Sequence, residues 1–363
     1  MEESQHTSIK NPQLYHGTLY FFYSFDIGDD IDTKTISTHS ILSDTMKTKS
    51  NFFKTYHKPH LLNSEKLQLS KHCIMSALYN FGAIALRYAF SFSAQIEEIK
   101  NIINHKYDIA EHQSRKDAKI IFNTLKEHIR EGRFFNLHNS YCVIQIDPKK
   151  QLSPYDFKEK YANEIASILR FETENLSEYK KNEILNSAFG YYRGDLLIID
   201  RNSALMYDND YDDIIDLFEF ANMRHMELQC FDRSLDKQLN FSYERQSYKI
   251  PLRSYIPIIG MFQYDPMEEL AKLRVDISVI SERLWSSIKF SDEPYYLEIY
   301  NILNQKLEFD GWQKSIDKKL EVISHILEIH EQKISSMRSD VLNLLILLLI
   351  LIEALFAALH YFR

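Results

Sequence analysis

The sequence predicts an α+β protein. An N-terminal mixed α/β body would be followed by a helical region and by a long C-terminal coiled-coil helix that continues into one transmembrane helix. Aromatic and β-branched runs typical of strands lie before residue 209, and a nearly continuous helical pattern follows. Apolar residues recur at heptad spacing from Ile316 onwards. The chain closes on Val341–Leu359, an apolar run interrupted only by Asn343 and Glu353.

The bulk composition indicates a globular protein rather than a disordered one. Hydrophobic residues make up 45% and charged residues 26% of the 363 residues. Only 8 glycines and 8 prolines are present, which favours long helices over an all-β sandwich and weighs against Gly-rich phosphate loops. The net charge of −8 is unsuited to phosphate neutralisation, so no direct DNA binding is expected.

The three cysteines, Cys73, Cys142 and Cys230, are far apart and odd in number. This pattern predicts buried thiols in a reducing compartment rather than a disulfide framework. The N-terminus, MEESQHTSIK, has no apolar core and two early glutamates, so neither a secretory signal nor a transit peptide is predicted.

The body is predicted over residues 13–208, after a flexible N-terminus of residues 1–12. Strands are expected at Thr18–Phe25, in Cys73–Phe90 with a break at Asn80–Gly82, at Tyr141–Ile146, and in a hairpin of Asp195–Asp200 with Ala204–Asp208. Helices are expected at Ser93–Asn104, at Arg115–Ile129, and in a long segment that Ser153 caps.

The helical region is predicted over residues 209–311, with helices at Tyr211–Leu239, Pro266–Ile288 and Pro294–Leu307. Trp312 would start the last helix, with a coiled coil over 312–340 and a transmembrane helix over 341–359. The nineteen residues of that span cover about 28 Å, enough to cross the hydrocarbon core of a bilayer.

The last helix carries one apolar seam whose members alternate by four and three residues: Ile316, Leu320, Ile323, Leu327, His330, Ile334 and Met337. Such a heptad seam is typical of a coiled coil between copies of a chain, and equally of a helix that packs in its own bundle. His330 would set the register of the seam or sense pH.

The predicted span carries one ionisable residue, Glu353. A charge inside a bilayer costs about 2.5–3.5 kcal/mol, so its presence indicates function or helix contact. Helical spacing places five residues on this part of the span as candidates for intramembrane packing or function: Glu353, Ala354, Ala357, Ala358 and His360. Glu353 falls outside the heptad seam, so either the packing face rotates inside the bilayer or Glu353 meets a different helix. Glu353 would otherwise snorkel to the interface or act on ions or protons.

Motifs for catalysis are absent from the sequence. It contains no Gly-Lys-Ser/Thr phosphate loop, no Gly-x-Ser-x-Gly and no His-Glu-x-x-His. The acidic stretch Asp208–Glu219 superficially matches a calcium loop, but Asp213 stands where that loop needs glycine. A capped helix explains these acidic residues better, so neither a cofactor nor a metal site is predicted.

Three segments share a pattern with a known family. Pro294–Leu307 reads PYYLEIYNILNQKL, Asp340–Ala354 is an apolar run that closes in Ile-Glu, and Ala77–Leu86 is a predicted strand pair that contains Gly82. They resemble, in that order, the YLEI…LN-x-(R/K)-L helix, the apolar run closing in Ile-Glu and the F-x-(Y/F)-G-x-x-V strand pair of the Rmd/YagE-like family of membrane-anchored proteins. The resemblance implies an inner-membrane protein not known as an enzyme, with Glu353 in place of the family's intramembrane acid. Mitochondrial members are associated with organellar translation as tethers.

The main functional hypothesis is a tail-anchored, homo-oligomeric membrane scaffold or tether without enzymatic activity. Its partners would be the bilayer, a second copy of the chain, and an unidentified protein or ribonucleoprotein. Lys333 and Arg338 before the span, against Arg363 beyond it, favour a single-pass protein with a cytoplasmic body. The alternative is a membrane effector or channel-like oligomer controlled by that body, and a third hypothesis is a membrane-bound metal-dependent hydrolase using Asp208–Asp213.

Overall fold

The computed structural model describes residues 13–28, 30–31, 41–42, 59–79, 82–130, 132–134, 138–190, 194–245, 271–272, 274–275, 277–279 and 294–361. Two compact units make up the chain, one of Met1–Cys230 with Glu282–Asp310 and one of Phe231–Ser281 with Gly311–Arg363. The predicted flexible N-terminus lies outside the described residues, as does most of the predicted helix Pro266–Ile288. The predicted limits of the body and of the helical region stay predictions.

The first unit is built on an eight-stranded sheet. Its strands are β1 (Tyr15–Asp26), β3 (His60–Leu61), β4 (Cys73–Tyr79), β5 (Ala83–Ala94), β7 (His138–Ile146), β8 (Ala188–Phe189), β9 (Leu196–Ile199) and β10 (Ser203–Tyr207). Their order in the sheet is β3-β4-β5-β1-β7-β10-β9-β8. Two further short strands, β2 (Asp30–Ile31) and β6 (Ile129–Arg130), pair with each other.

The aromatic strand β1 lies in the middle of the sheet, where it pairs antiparallel with β5 on one side and β7 on the other. A strand buried on both faces needs apolar residues at successive positions, and Phe21, Phe22 and Tyr23 are all buried. The neighbouring pair β7–β10 is parallel, and the chain between these two strands forms three short helices that complete the crossover.

The helices of the described residues are α1 (Ile96–Leu125), α2 (Pro154–Lys160), α3 (Ala162–Arg170), α4 (Glu178–Leu185), α5 (Asp212–Arg245), α6 (Pro294–Lys306) and α7 (Phe309–Tyr361). In the first unit, helices cover both faces of the sheet. Helices α1 to α4 share one apolar core with the sheet, in which Ile99, Phe157 and Ile165 are fully buried. This unit therefore has helix, sheet and helix layers, as α+β packing of two apolar sheet faces requires.

The layer between the sheet and α5 contains buried polar groups as well as apolar ones. Tyr141 stacks on Phe218 with ring centroids 5.4 Å apart, and the Asn222 amide donates to Ser24 Oγ over 3.0 Å. Arg87 on β5 donates to two carboxylates of α5. The second face of the sheet is thus held to its helix partly by charge and hydrogen bonds.

The predicted α+β class and the predicted strands are confirmed. The break between β4 and β5 at Gly82 and the hairpin of β9 and β10 both lie where the sequence places them. Helix α6 begins at Pro294, and α5 begins within a residue of the predicted start. The last helix, predicted to start at Trp312, starts earlier, at Phe309, and runs unbroken to Tyr361.

The predicted helices Ser93–Asn104 and Arg115–Ile129 are confirmed as helical from Ile96 and as far as Leu125, but they form one helix of 30 residues, α1, and not two. Residues 126–128 form a short 3₁₀ turn, and Ile129 begins β6. Ser93 is instead a strand residue paired with His16, because the Glu98 carboxylate accepts the Gln95 N–H over 3.2 Å and so fixes the helix start there.

The prediction of one long helix from Ser153 is wrong, because this segment forms three short helices, α2, α3 and α4. The predicted cap itself is confirmed: Ser153 Oγ accepts the Asp156 N–H over 3.1 Å. The chain leaves the helical conformation at Tyr161 and again at Phe171, and the gap before Glu178 contains no apolar face for a continuing helix.

In the second unit, the first turns of α7 pack along the end of α5. Lys319 Nζ lies 2.6 Å from Asp232 Oδ1 and 2.7 Å from Asp236 Oδ1, and Ser315 Oγ donates to Asp232 over 2.8 Å. Ile316 is fully buried beside these polar contacts. Polar contacts beside a buried apolar seam are usual where two helices pack together.

Candidate functional site

The predicted intramembrane residues lie on the exposed final turns of α7. Glu353, Ala354, Ala357, Ala358 and His360 are all exposed. Residues separated by three or four positions on a helix share a face, so the helix brings the set together on one side. The helix end is long and apolar enough to cross a membrane, with a mean hydropathy of 2.7 over its best window and no part of that window buried.

The predicted heptad seam is partly used inside the single chain. Ile316 and Ile323 are fully buried, while the remaining members are half-buried: Leu320, Leu327, His330, Ile334 and Met337. The first part of the seam is therefore already covered within the single chain. Its use between copies of the chain stays a prediction for the later turns, which are less covered.

The acidic stretch that resembles a calcium loop forms a turn and the start of a helix. Asp208 Oδ1 accepts the backbone N–H groups of Asn209 and Asp210, over 2.6 and 3.1 Å. Asp213 accepts the Tyr296 hydroxyl over 3.2 Å, and burial raises the pKa of both Asp208 and Asp213. Among the described residues, no three His, Cys, Asp or Glu side chains converge as a metal-binding group.

A half-open cavity of about 470 Å³, with both polar and apolar groups in its lining, lies beside the first residues of β7 and is the candidate site that we describe. Strand β10 begins opposite Cys142, so His138–Tyr141 extend past its end and leave space there. Helix α1, the residue after α3 and the β9–β10 turn supply the other walls. The lining residues are Asn104, Tyr107, His138, Asn139, Ser140, Tyr141, Cys142, Phe171 and Asn202.

Hydrogen bonds fix the polar side chains on one wall of the cavity. Tyr107 OH lies 3.2 Å from Ser140 Oγ, and His138 Nε2 lies 3.5 Å from Glu111 Oε1. Arg115 donates to the same carboxylate over 3.0 Å. Burial opposes ionisation of Glu111, but Arg115, Tyr107 and His138 outweigh it and lower its pKa, so the carboxylate stays charged and orients its three neighbours.

An aromatic contact helps to orient the His138 side chain in the cavity wall. The His138 ring stacks on Phe25 with centroids 5.3 Å apart. At the base of the cavity, burial raises the pKa of the Cys142 thiol. A buried, protonated thiol is a poor nucleophile, so Cys142 contributes shape rather than reactivity. All three cysteines are buried and free, which confirms the sequence prediction of buried thiols.

Phe171 adopts a backbone conformation that residues other than glycine usually avoid. It ends α3 at φ 57° and ψ 25°, in the left-handed region, where its N–H and that of Glu172 bond back to the last turn of the helix. Glycine is the usual residue at such a helix end, and a side chain there costs about 1–2 kcal/mol. Strained positions of this kind cluster at functional sites.

Sequence patterns did not predict this cavity. Its polar groups come from α1, from β7 and from the β9–β10 turn, which are far apart in the chain. The predicted and the observed candidate sites therefore have no residue in common. The one local signal was the missing glycine after α3, where the sequence continues Leu169-Arg170-Phe171-Glu172.

Comparison with known proteins gives one relative and one family model. A relative named "Uncharacterized protein MJ0711", from Methanocaldococcus jannaschii, is 24% identical over 271 residues, which cover 71% of this chain and 79% of the relative. No solved structure matches the chain. The family model described as "Uncharacterized protein MJ0711, N-terminal domain" matches residues 16–213, which include nearly the whole sheet and every residue lining the cavity. The chain therefore belongs to the family of the MJ0711 N-terminal domain, an uncharacterised protein family.

Proposed function

We propose that the protein is a membrane scaffold or tether, anchored by the end of α7, with its sheet-containing body in the cytoplasm. The observation that carries this proposal is the exposure of every large apolar side chain in residues 342–359. Leu344 and Leu347 are each 65% exposed. A soluble monomer rarely exposes a continuous apolar surface of this size, so something apolar is expected to cover it.

Insertion energies favour the bilayer as that cover. The run 341–359 contains fourteen Leu, Ile, Val and Phe residues, each favouring insertion by about 0.3–0.6 kcal/mol. Their sum, roughly 4–8 kcal/mol, exceeds the cost of about 2.5–3.5 kcal/mol for one charged residue in the span. Glu353 therefore reduces the stability of the inserted helix without preventing insertion.

Self-association through α7 is the second part of the proposal. Glu353, Ala357 and His360 share one helical face, and the small side chains of Ala354 and Ala358 allow close approach of a second helix. The less covered seam residues Leu327, Ile334 and Met337 lie before the span on the same helix. The resemblance of this region to the Rmd/YagE-like family supports a tether for a protein or ribonucleoprotein partner.

Membrane anchoring is tested by placing charges in the span of the full-length protein. The triple variant Leu344→Arg, Leu347→Arg and Leu351→Arg replaces three exposed leucines of the span with cations. We expect wild type to remain in the membrane pellet after an alkaline carbonate wash and the triple variant to be released. The control Ile329→Arg, at an exposed apolar position before the span, should stay in the pellet. Release of wild type, or retention of the triple variant, would contradict anchoring.

Self-association is tested by cross-linking in membranes. Ala357→Leu places a bulky side chain on the proposed packing face and should abolish the cross-linked dimer. The control is Leu355→Ala, on the opposite face of the helix, which should leave the dimer intact. Equal cross-linking of both variants would contradict packing through this face. A channel-like oligomer is the alternative that Glu353 favours, and it requires ion flux in reconstituted vesicles that Glu353→Leu abolishes.

A further inference from the structure

We propose that the cavity beside β7 binds a planar, nitrogen-containing heterocycle of the nucleobase type, presented as a free base or a nucleoside. This inference does not depend on membrane anchoring. A volume of about 470 Å³ lies within the range of small-molecule sites, which are roughly 300–1,000 Å³. The fold has formed this space without filling it with side chains, because β10 begins only opposite Cys142.

The lining groups match the edges of a base. Asn104 and Asn202 stand on different walls, on α1 and in the β9–β10 turn. A carboxamide offers a donor and an acceptor side by side, which is the pattern that pairs with the adjacent donor and acceptor atoms of a base. The Ser140 hydroxyl adds a third group that accepts or donates as the ligand requires.

Two aromatic rings supply a surface for stacking. The rings of Tyr107 and Phe171 lie 6.5 Å apart with 38° between their planes, and both line the cavity. Bases stack on aromatic side chains in single-stranded nucleic-acid sites, whichever base is present. The rings therefore supply affinity, and the two amides supply selectivity.

The charge of the lining selects a base rather than a phosphate. Among the described residues that line the cavity, none is Lys, Arg, Asp or Glu. The histidine among these lining residues, His138, lies 3.5 Å from the Glu111 carboxylate, and Arg115 donates to the same carboxylate over 3.0 Å, so both basic groups are already engaged by an acid. Phosphate recognition in proteins depends on such cations or on helix N-termini, so a nucleoside should bind at least as well as its monophosphate.

The aromatic side chain at Phe171 gives further support for a ligand. A glycine at this left-handed position would end α3 without steric cost, yet the chain carries a large aromatic ring that is only partly buried. The ring faces Tyr107 across the cavity wall. Gln68 and Glu308 are also left-handed and do not line the cavity, so the aromatic ring beside Tyr107, more than the strain, supports a ligand.

The experiment measures binding of adenosine, guanosine, cytidine and uridine to the full-length protein in detergent by isothermal titration calorimetry. Free bases, the matching monophosphates and ribose are titrated in parallel. We expect at least one nucleoside or base to bind with a Kd below about 1 mM, and no binding of ribose. Stacking on one aromatic ring corresponds to roughly tenfold in affinity, so Phe171→Gly should weaken that binding by about this factor.

A matched control separates the loss of the ring from the relief of backbone strain. Gln68 is also in the left-handed region, at φ 53°, and is exposed away from the cavity, so Gln68→Gly relieves similar strain and should leave binding unchanged. Thermal unfolding of both variants checks that each remains folded. The proposal is overturned if no base or nucleoside binds, if Phe171→Gly binds as wild type does, or if a monophosphate binds more than tenfold tighter than its nucleoside.

Discussion

Arg87 Nε donates to Glu219 Oε2 over 2.8 Å in the layer between the sheet and α5, and both side chains are almost completely buried. Asp216 accepts a second hydrogen bond from Arg87 over 2.6 Å, and the guanidinium lies over the Phe22 ring. Burial opposes the charged form of Arg87, but the two carboxylates outweigh it and raise its pKa. One buried cation thus ties β5 in the sheet to two successive turns of α5.

Removal of that cation should strongly destabilise the first unit. Arg87→Met keeps much of the side-chain volume but leaves the charge of Glu219 buried without its partner, and breaking a buried ion pair costs about 3–5 kcal/mol. Urea unfolding followed by circular dichroism measures the loss. The control Lys180→Met, in an exposed pair with Glu183, should leave the unfolding midpoint nearly unchanged.

Neutralising Glu219 and Asp216, the two acids that Arg87→Met deprives of their cation, should restore part of the lost stability. In a variant that combines Arg87→Met with Glu219→Gln and Asp216→Asn, no uncompensated charge is buried, so unfolding should require more urea than for Arg87→Met alone. A triple variant as unstable as the single one would mean that the packing of Arg87, and not its charge, holds this layer.

Acid should destabilise the protein through His225. Burial, aided by nearby Arg201, lowers the pKa of this histidine to about 4, whereas a histidine in an unfolded chain titrates near 6.5. Between these values the unfolded chain binds a proton that the folded chain does not, so stability falls as the pH falls from about 6.5 to 4, by about 3 kcal/mol in total.

The variant His225→Gln isolates this effect and retains a group able to bond Gln229, which lies 3.0 Å from His225 Nε2. Urea unfolding at a series of pH values should show a shallower loss of stability below pH 6.5 for the variant. At pH 8 His225 is neutral in both states, so any difference measured there reports packing alone. Parallel profiles for the two proteins would refute the assignment.

Substitution of Gly17 should disrupt the centre of the sheet. A Cβ atom at this position in β1 would overlap the Gln145 carbonyl oxygen and lie 2.9 Å from the Phe92 ring, so the strands must move apart. We expect Gly17→Ala to lower the free energy of unfolding by about 1–3 kcal/mol. Gly194→Ala is the matched control, because a Cβ there meets nothing within 4 Å, and its unfolding should match that of wild type.

The buried carboxylate of Asp117 joins three elements of the first unit. It accepts the Tyr88 hydroxyl over 2.6 Å and both the N–H and the hydroxyl of Ser70. A hydrogen bond to a charged group contributes about 1.5–3 kcal/mol, so Tyr88→Phe should lower the free energy of unfolding by about that amount. Tyr155→Phe, at a tyrosine that is 67% exposed, tests the same chemical change with no expected loss.

Much of the fold was predictable because its strands carry strong local signals. The aromatic run of β1 and the short apolar runs of β7 and β9 are bounded by turn residues, and each was placed within a few residues. The errors lie at helix limits. Nothing in the composition of residues 105–114 indicated a continuous α1, because only the sheet beneath it makes Ala110 and Ser114 core residues.

The cavity was not predictable, for a physical reason. Its walls depend on where β10 starts relative to β7, and register between strands is a property of the assembled sheet. Tyr107 and Ser140 form a hydrogen bond although 32 residues separate them in the chain. By contrast, the features of α7 were visible in the sequence because they arise from helical periodicity within one segment.

The central position of β1 sets an order of events during synthesis. This strand leaves the ribosome before either of its neighbours exists, and its second neighbour, β7, ends about 120 residues later, which at typical elongation rates is roughly 6–24 s. The run TLYFFYSF has two open edges until β5 is made and one open edge until β7 is made, and open edges are the condition under which strands pair with other chains. Nascent chains of this protein should therefore need chaperone protection early, and overexpression that outpaces chaperones should yield inclusion bodies.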